Sequence, residues 1–282
     1  MATVSQSYET LKGESVATVR GAVRRGAFQG QTAGLALGKL QANLAIVPQD
    51  QALDFRRFCE RNPKPCPLVG ISAPGDPMMR SLGADIDIRS DVPGYNVYRD
   101  GRLSESRSDI SALWSDDLVA VAIGCSFTFE RALLAAGISL WHIERNRTVP
   151  MYRTHLETLP VGPFGGGMVV SMRGIPADRV DDAVEISGRF PWAHGSPVHC
   201  GDPADIGIAN FDTPDWGDRP ELREGEVPVF WACGVTPQHA IMRAGLPLCI
   251  THKPGHMLIT DIDDSDVDGL SALPDVQSRR AH

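Results

Sequence analysis

Two cysteines, Cys125 and Cys233, stand at the same point of a segment that occurs twice, 108 residues apart: VAIGCSFTFERALLAAGISL (121–140) and VFWACGVTPQHAIMRAGLPL (229–248). Each copy reads as a short strand, a turn at the cysteine and a helix that stops at glycine. A helix N-terminus offers free N–H groups and a positive dipole end, which favour anions and lower a thiol pKa. The pattern predicts two anion-binding corners whose cysteines are candidate nucleophiles, or else small buried residues.

The remaining polar side chains of the repeated unit are candidate site residues. Ser126 and Thr236 suit helix N-caps, and with Thr128 and Gln238 they are candidate substrate contacts. Glu130 is a candidate proton carrier, or a carboxylate that merely satisfies the helix dipole. Gln238 occupies the place of Glu130 in the second copy, so any difference between the corners is expected there.

A second group of candidates lies in HGSPVHCGDP, residues 194–203. His194, His199 and Asp202 could transfer protons, contact substrate or ligate a metal, or could simply pack the loop. The spacing matches no known zinc pattern. The sequence therefore predicts no metal and no cofactor, with the histidines as acid–base candidates and Asp202 as a substrate contact.

A third group lies in THKPGHMLITD, residues 251–261, where His252 and His256 flank a Pro-Gly turn beside Lys253. A cation and imidazoles on a tight turn suit carboxylate binding and acid–base catalysis, although an ordinary hairpin would look the same. Arg153 and Arg173, each beside a strand-like run, are candidate carboxylate clamps or ordinary surface charges.

Composition narrows the class of protein. The 282 residues carry a net charge of −8, which argues against nucleic-acid binding, and no apolar run is long enough for a membrane span. The arginines at 20, 24 and 25 are expected on a solvated helix face. No export signal opens the chain and none of the six cysteines forms a Cys-x-x-Cys pair, so reduced thiols and a cytoplasmic location are expected.

Strand-like and helical segments alternate along the chain. Asp50–Cys59 reads as a helix, and Asp100-Gly101 predicts a tight hairpin turn. The alternation predicts an α/β fold with a mixed, largely parallel sheet that contains both copies of the repeat. We expect a main α/β domain from residues 1–149 and 226–282, with a smaller inserted α+β domain at 150–225.

Several strings of this sequence resemble a known family: FCERNPKPCPL, DVPGYNVYRDG, IGCSFTFE, VPMYRT, HGSPVHCGDP, PVFWACGVTPQ and THKPGHMLITD. They are similar, in the same order over about residues 17–262, to the bacterial hydro-lyase family related to D-glutamate cyclase. The resemblance implies a lyase that removes water, best matched by closure of D-glutamate into 5-oxo-D-proline. It does not fix the substrate, and it supplies no catalytic residues.

The implied reaction can be placed on the candidate residues. The two helix ends would each face one carboxylate of the substrate, and His194, His199 or His256 would move protons. Direct attack ranks above a thioester on Cys125 or Cys233, because no base stands beside either thiol in the sequence. The alternatives are a non-catalytic carboxylate-binding protein, a metal-dependent lactam or amide hydrolase, and an interaction scaffold. The expected partner is a small carboxylate, and a homo-oligomer is left open.

Overall fold

The structure, a computed structural model, describes residues 5–265. Its first half contains α1 (Tyr8–Leu11), α2 (Val16–Arg24), β1 (Lys39–Pro48), α3 (Gln49–Arg61), β2 (Leu68–Ile71), β3 (Tyr95–Arg99), β4 (Arg102–Arg107), β5 (Leu118–Gly124) and α4 (Phe127–Ala135). Its second half contains α5 (Trp141–Glu144), β6 (Met151–Glu157), β7 (Gly167–Pro176), α6 (Val180–Gly188), β8 (His199–Cys200), β9 (Glu226–Ala232), α7 (Val235–Ala244), β10 (Cys249–His252) and β11 (Leu258–Asp263).

The strands form two sheets, and every pairing between them is antiparallel. The larger sheet has the order β2-β5-β1-β10-β3-β4, with β11 also paired to β1. The smaller sheet has the order β6-β7-β9-β8. The prediction of a largely parallel sheet is therefore wrong. A helix between two strands indicates parallel pairing only when both strands lie next to each other in the same sheet. Here the strands before and after α4, and those before and after α7, lie in different sheets.

The expectation that both copies of the repeat share one sheet is also wrong. The strand of the first copy, β5, lies in the larger sheet, and that of the second copy, β9, lies in the smaller one. The chain leaves the larger sheet after α4 and returns to it after α7, so each repeat helix connects the sheets. The smaller sheet comprises strands from residues 151–232, and the division into domains at 149 and 226 stays a prediction.

The two copies nevertheless have the same local geometry. Cys125 N–H donates to Gln41 O at 2.9 Å, and Cys233 N–H donates to Val169 O at 3.0 Å. The hydroxyl of Thr128 accepts from Gln41 N–H at 3.1 Å, and that of Thr236 accepts from Val169 N–H at 3.0 Å. In both copies the threonine hydroxyl thus accepts a hydrogen bond from the strand next to that of its own copy, so the shared residue has the same role twice.

Apolar residues cover both faces of the larger sheet. Leu44 and Ile46 of β1 face one cluster, while Ala45 and Val47 face the other, which α3 covers through Phe55 and further side chains. This alternation is what a sheet buried on both faces requires. A further cluster, including Phe129 and Trp231, packs α4 and α6 against β7 and β9 of the smaller sheet. Within residues 5–265, no helix is long and apolar enough to cross a membrane.

The prediction of a solvated helix face is wrong for Arg20, whereas Arg24 and Arg25 are exposed as expected. Arg20 is only 4% exposed and makes ion pairs with Asp85 and Asp261, so it is part of the interior rather than of a solvated face. Arg24 pairs with Asp91, whose side chain is fully buried. These ion pairs attach α2 to the loop before the β3–β4 hairpin and to β11. A buried charge such as that of Arg20 is tolerated because it is paired.

Candidate active site

The two cysteines of the repeat lie in one apolar cluster, together with Phe127, Val235 and Met257. Cys125 is 6% exposed and Cys233 is 8% exposed. Burial raises the pKa of both thiols, to about 11 for Cys233, although the N–H groups of Phe127 and Val235 at the helix ends oppose the shift. The expected lowering of the thiol pKa is therefore wrong: loss of solvent outweighs the helix N-terminus, and both thiols are protonated at neutral pH.

Glu130 belongs to a buried ionic cluster rather than to an open site. Its Oε1 atom accepts from Arg173 Nη2 at 2.6 Å and lies 2.9 Å from His142 Nε2. Arg173 also donates to the hydroxyls of Ser126 and Ser171. Burial alone would raise the pKa of Glu130, but the charges and hydrogen bonds of His142 and Arg173 lower it below its ordinary value. The guanidinium therefore pairs with the protein's own carboxylate.

The equivalent position in the second copy holds a neutral pair. The Gln238 amide Nε2 donates to the His252 ring at 3.0 Å and to the His252 carbonyl at 3.2 Å. His252 is fully buried, and burial lowers the pKa of its ring to about 4. Glu130 and Gln238 thus each contact a buried histidine that follows their own helix. Glu130 contacts His142 within an ionic cluster that includes Arg173, whereas Gln238 and His252 form a neutral pair.

Neither hydroxyl predicted as an N-cap caps its helix. Ser126 stands at the N-cap position of α4, but its side chain makes no capping hydrogen bond and accepts from Arg173 instead. Thr236 lies inside α7, whose N-cap is Gly234. Asn43 explains the glycine, since a Cβ at residue 234 would lie 2.0 Å from the Asn43 amide nitrogen.

In the histidine loop at 194–203, His194 approaches the first corner, since the charge of Arg173 and the backbone of Gly124 both act on its ring, whereas His199 and Asp202 interact with each other. His194 is buried and donates from Nδ1 to Lys64 O at 2.9 Å, and burial lowers its pKa to about 4. His199 lies at the surface with Nε2 2.7 Å from Asp202 O. Asp202 accepts from Ala204 N–H at the start of a short 3-10 helix. Among the described residues, no three His, Cys, Asp or Glu side chains are placed to share a metal ion.

Arg153 lies at the outer surface of the smaller sheet. Its guanidinium lies over the Trp216 ring at 4.9 Å and pairs with Asp215 at 3.4 Å. Arg153 thus contacts Asp215 and Trp216, whereas Arg173 pairs with Glu130 in the interior. The structure does not bring the two predicted arginine clamps together.

An open polar hollow of about 460 Å³ holds two of the third group of candidates, Lys253 and His256, and we call it the cleft. It lies between the β3–β4 hairpin and the turn at residues 252–257, which we call the cleft turn. Its polar lining consists of Gln29, Ser106, Arg107, Ser108, Asp109, Lys253 and His256. Lys253 and His256 were predicted from the sequence. Arg107 and Asp109 were not, because nothing in a hairpin sequence shows which side chains face a distant turn.

His256 is 9% exposed at the edge of the cleft, and its Nδ1 donates to Pro254 O at 2.9 Å. Burial lowers the pKa of this ring, and the charge of Lys253 adds to the effect, whereas the carbonyls of Pro254 and Gln29 oppose it. The imidazole is therefore neutral at neutral pH. With Nδ1 carrying the proton, Nε2 carries a lone pair and can act as a base.

Two cations and one carboxylate share the cleft with this base. The backbone N–H of Lys253 donates to Gly94 O at 2.7 Å, and this hydrogen bond holds the main chain of Lys253 against Gly94. Gly94 lies against both residues, since a Cβ at this position would stand 3.4 Å from His256 Cδ2 and 3.4 Å from Lys253 Cβ. Arg107 donates from Nε to Glu105 at 2.8 Å, and its two Nη atoms make no hydrogen bond within the part of the chain that the structure describes. The cleft can bind anionic groups and accept a proton.

The comparisons with known proteins identify the class. The D-glutamate cyclase family model matches residues 119–261. A "Putative hydro-lyase" of Dinoroseobacter shibae is 63% identical over 92% of this chain and 87% of its own length, and another of Ruegeria pomeroyi is 60% identical over 96% and 99%. A solved nitrogen repressor-like protein from Methanococcus jannaschii matches with 10% identity and a TM-score of 0.37, over 83% of this chain and 91% of its own.

The relatives confirm the prediction of an enzyme of the hydro-lyase class. The chain belongs to the D-glutamate cyclase family, as the resemblance of its motifs implied.

Proposed function

We propose that this enzyme closes D-glutamate into 5-oxo-D-proline with loss of water, and that the reaction takes place in the cleft. The observation that carries the proposal is the juxtaposition of His256 and Lys253 around Gly94, with Arg107 in the same hollow. A neutral imidazole beside cations is what an amino dicarboxylate requires for binding and deprotonation.

The charges of the cleft match those of the substrate. D-glutamate carries two carboxylates and one ammonium group. Lys253 and Arg107 would each hold one carboxylate, and Asp109 would hold the ammonium group. Binding both ends bends the chain, which brings the amine towards the side-chain carboxyl carbon and lowers the entropic barrier to ring closure.

The chemistry needs two proton movements. His256 Nε2 first accepts a proton from the ammonium group, which leaves a neutral amine to attack the side-chain carboxyl carbon. The new C–N bond forms as a tetrahedral intermediate, and the cation bound to that carboxylate stabilises its negative oxygens. One carboxyl oxygen then departs as water. Both hydrogens of that water come from the former ammonium group, so His256 acts first as base and then as acid.

The buried corners support direct attack rather than a thioester. Both cysteines of the repeat lie in an apolar cluster with raised thiol pKa values, so neither is a thiolate at neutral pH. On this proposal the corners contribute by holding the strands and the cleft turn, not by contacting substrate.

The test is NMR of the purified enzyme incubated separately with D-glutamate, L-glutamate and the two 5-oxoproline enantiomers. We expect interconversion of the D pair, its loss in His256→Gln, and normal rates in His155→Gln, which changes an exposed histidine on β6. Full activity in His256→Gln would overturn the catalytic assignment. Saturable binding of D-glutamate without turnover by the wild type would instead support a carboxylate-binding protein.

A further inference from the structure

One buried side chain from a distant part of the sequence makes hydrogen bonds to the main chain on both sides of His256. Thr32 is fully buried, and its hydroxyl accepts from Met257 N–H at 3.0 Å and donates to Gly255 O at 3.4 Å. Its backbone N–H also donates to Gly255 O at 2.8 Å. Gly255 and Met257 are the residues immediately before and after His256. One threonine therefore hydrogen-bonds to the main chain on both sides of this residue.

The same threonine connects the cleft turn to the first copy of the repeat. Thr32 O accepts from the Gln41 side-chain amide at 3.2 Å. The backbone of Gln41 in turn accepts from Cys125 N–H at 2.9 Å and donates to the Thr128 hydroxyl at 3.1 Å. Hydrogen bonds through Gln41 and Thr32 therefore connect the corner at Cys125 to the cleft turn that carries His256.

The second copy holds the other end of the cleft turn. Gln238 on α7 donates to the ring and the carbonyl of His252, the first residue of the turn. His252 also accepts from Leu44 N–H at 3.1 Å, which ties it to β1. Each copy of the repeat thus fixes one end of the segment that carries Lys253 and His256.

We propose that Thr32 is a positioning residue for His256, because it sets the orientation and burial of the imidazole in the cleft. This inference rests on the proposed function for its kinetic consequence, but its geometric consequence can be measured without any substrate. Since base and substrate must meet at hydrogen-bond distance, a small displacement of the ring costs rate more than binding.

The informative variants are Thr32→Val, which keeps the shape and removes the hydroxyl, and Thr32→Ser, which keeps the hydroxyl. In Thr32→Val the Met257 N–H loses its acceptor and the turn loosens. We expect kcat for D-glutamate to fall by about 10²-fold, with KM changed by less than about 3-fold. Thr32→Ser should restore most of kcat.

A structural role alone would not change the titration of His256, so that titration is the second readout. The groups that face the ring are Lys253 and, across the cleft, Arg107 and Asp109, with His252 behind it. All four remain in Thr32→Val. We therefore expect histidine NMR to show the pKa of His256 rising towards its ordinary value as the loosened ring gains solvent, while Thr32→Ser titrates like the wild type.

The matched control is Ser187→Ala, which removes another buried hydroxyl, one that donates to Ala183 O at 2.6 Å in α6. It should lower stability and leave the His256 titration unchanged. If Thr32→Val does not fold, Thr32→Cys retains a weaker polar group of similar size and should give a smaller shift in the same direction.

An unchanged His256 titration and unchanged kcat in a folded Thr32→Val protein would overturn the inference. If the wild type fails to convert D-glutamate, the proposed function falls. The titration of His256 in the two threonine variants would then still decide whether Thr32 positions this ring.

Discussion

Arg173 Nη2 lies 2.6 Å from Glu130 Oε1, and this ion pair joins the smaller sheet to the helix that follows the strand β5 of the larger sheet. Arg173 stands on β7 of the smaller sheet, while Glu130 stands on α4, directly after β5 of the larger sheet. Both side chains are almost completely inaccessible, at 1% and 0% exposure. The pair therefore connects β7 of the smaller sheet to α4, the helix through which the chain leaves the larger sheet.

This burial predicts a large loss of stability when one partner is removed. Glu130→Gln leaves the Arg173 charge unpaired in the interior, which typically costs about 3–5 kcal/mol of unfolding free energy. Urea denaturation of the variant and the wild type would measure the loss. The double variant Glu130→Met/Arg173→Met removes both charges and should recover part of it. Equal stability of Glu130→Gln and the wild type would show that the pair contributes nothing to the fold.

Local elements were predictable because they depend on local chemistry. The dipeptide Asp100-Gly101 predicts a hairpin turn, and both residues have the positive φ angles, 51° and 74°, that such a turn needs. The helix expected at Asp50–Cys59 is α3, and each copy of the repeat is a strand followed by a helix, as its pattern predicted. Sheet direction was not predictable in this way, since it depends on which sheet each strand joins after its helix, and hydrophobic periodicity does not encode that choice.

The site was predictable only in part, for a related reason. The cleft turn was found from its own sequence, since Lys253 and His256 stand together on it. By contrast, Arg173 looks the same in sequence whether it faces a substrate carboxylate or Glu130. Its partner is 43 residues away along the chain. Thr32 gave no signal at all, because its role depends on contacts to residues more than 200 positions later.

The cysteines offer a prediction that separates direct attack from a thioester. Cys125→Ala/Cys233→Ala should keep turnover of D-glutamate within about 3-fold of the wild type, since protonated, buried thiols are poor nucleophiles. In the native wild type, iodoacetamide at pH 7 should modify the exposed Cys200 and spare Cys125 and Cys233, as peptide mass spectrometry would show. Loss of turnover together with modification of either repeat cysteine would favour the covalent route.

Stability should fall as the pH drops from about 6.5 to about 4, because two buried histidines resist protonation. Burial lowers the pKa of both His194 and His252 from 6.5 to about 4. In this window the unfolded chain binds protons that the folded chain excludes, so the stabilisation is complete above pH 6.5 and is lost on acidification. Each group accounts for up to about 3 kcal/mol.

Denaturant titrations at several pH values between about 4 and 8 would measure this slope. His252→Gln should reduce it, while His155→Gln, a change at an exposed position, should not. A slope of the same size in His252→Gln and the wild type would show that another group is responsible.

Both cations of the cleft should control substrate binding, and the one that holds the side-chain carboxylate should also lower kcat when it is removed. Lys253→Met and Arg107→Met each remove one charge-assisted hydrogen bond to a carboxylate, worth about 1.5–3 kcal/mol, so KM for D-glutamate should rise by about 10- to 100-fold. Arg102→Met, on the same hairpin but outside the cleft lining, is the control and should leave KM unchanged.

The dependence of rate on pH then tests His256 itself. The reaction needs its neutral form, and its pKa lies below the ordinary value of 6.5, so kcat/KM should stay high as the pH falls through 6.5 and decline only at a more acidic pH. Lys253→Met removes a charge that lowers this pKa, and the acidic limb should therefore move to higher pH. An acidic limb that stays in place in Lys253→Met would mean that a group other than His256 accepts the proton.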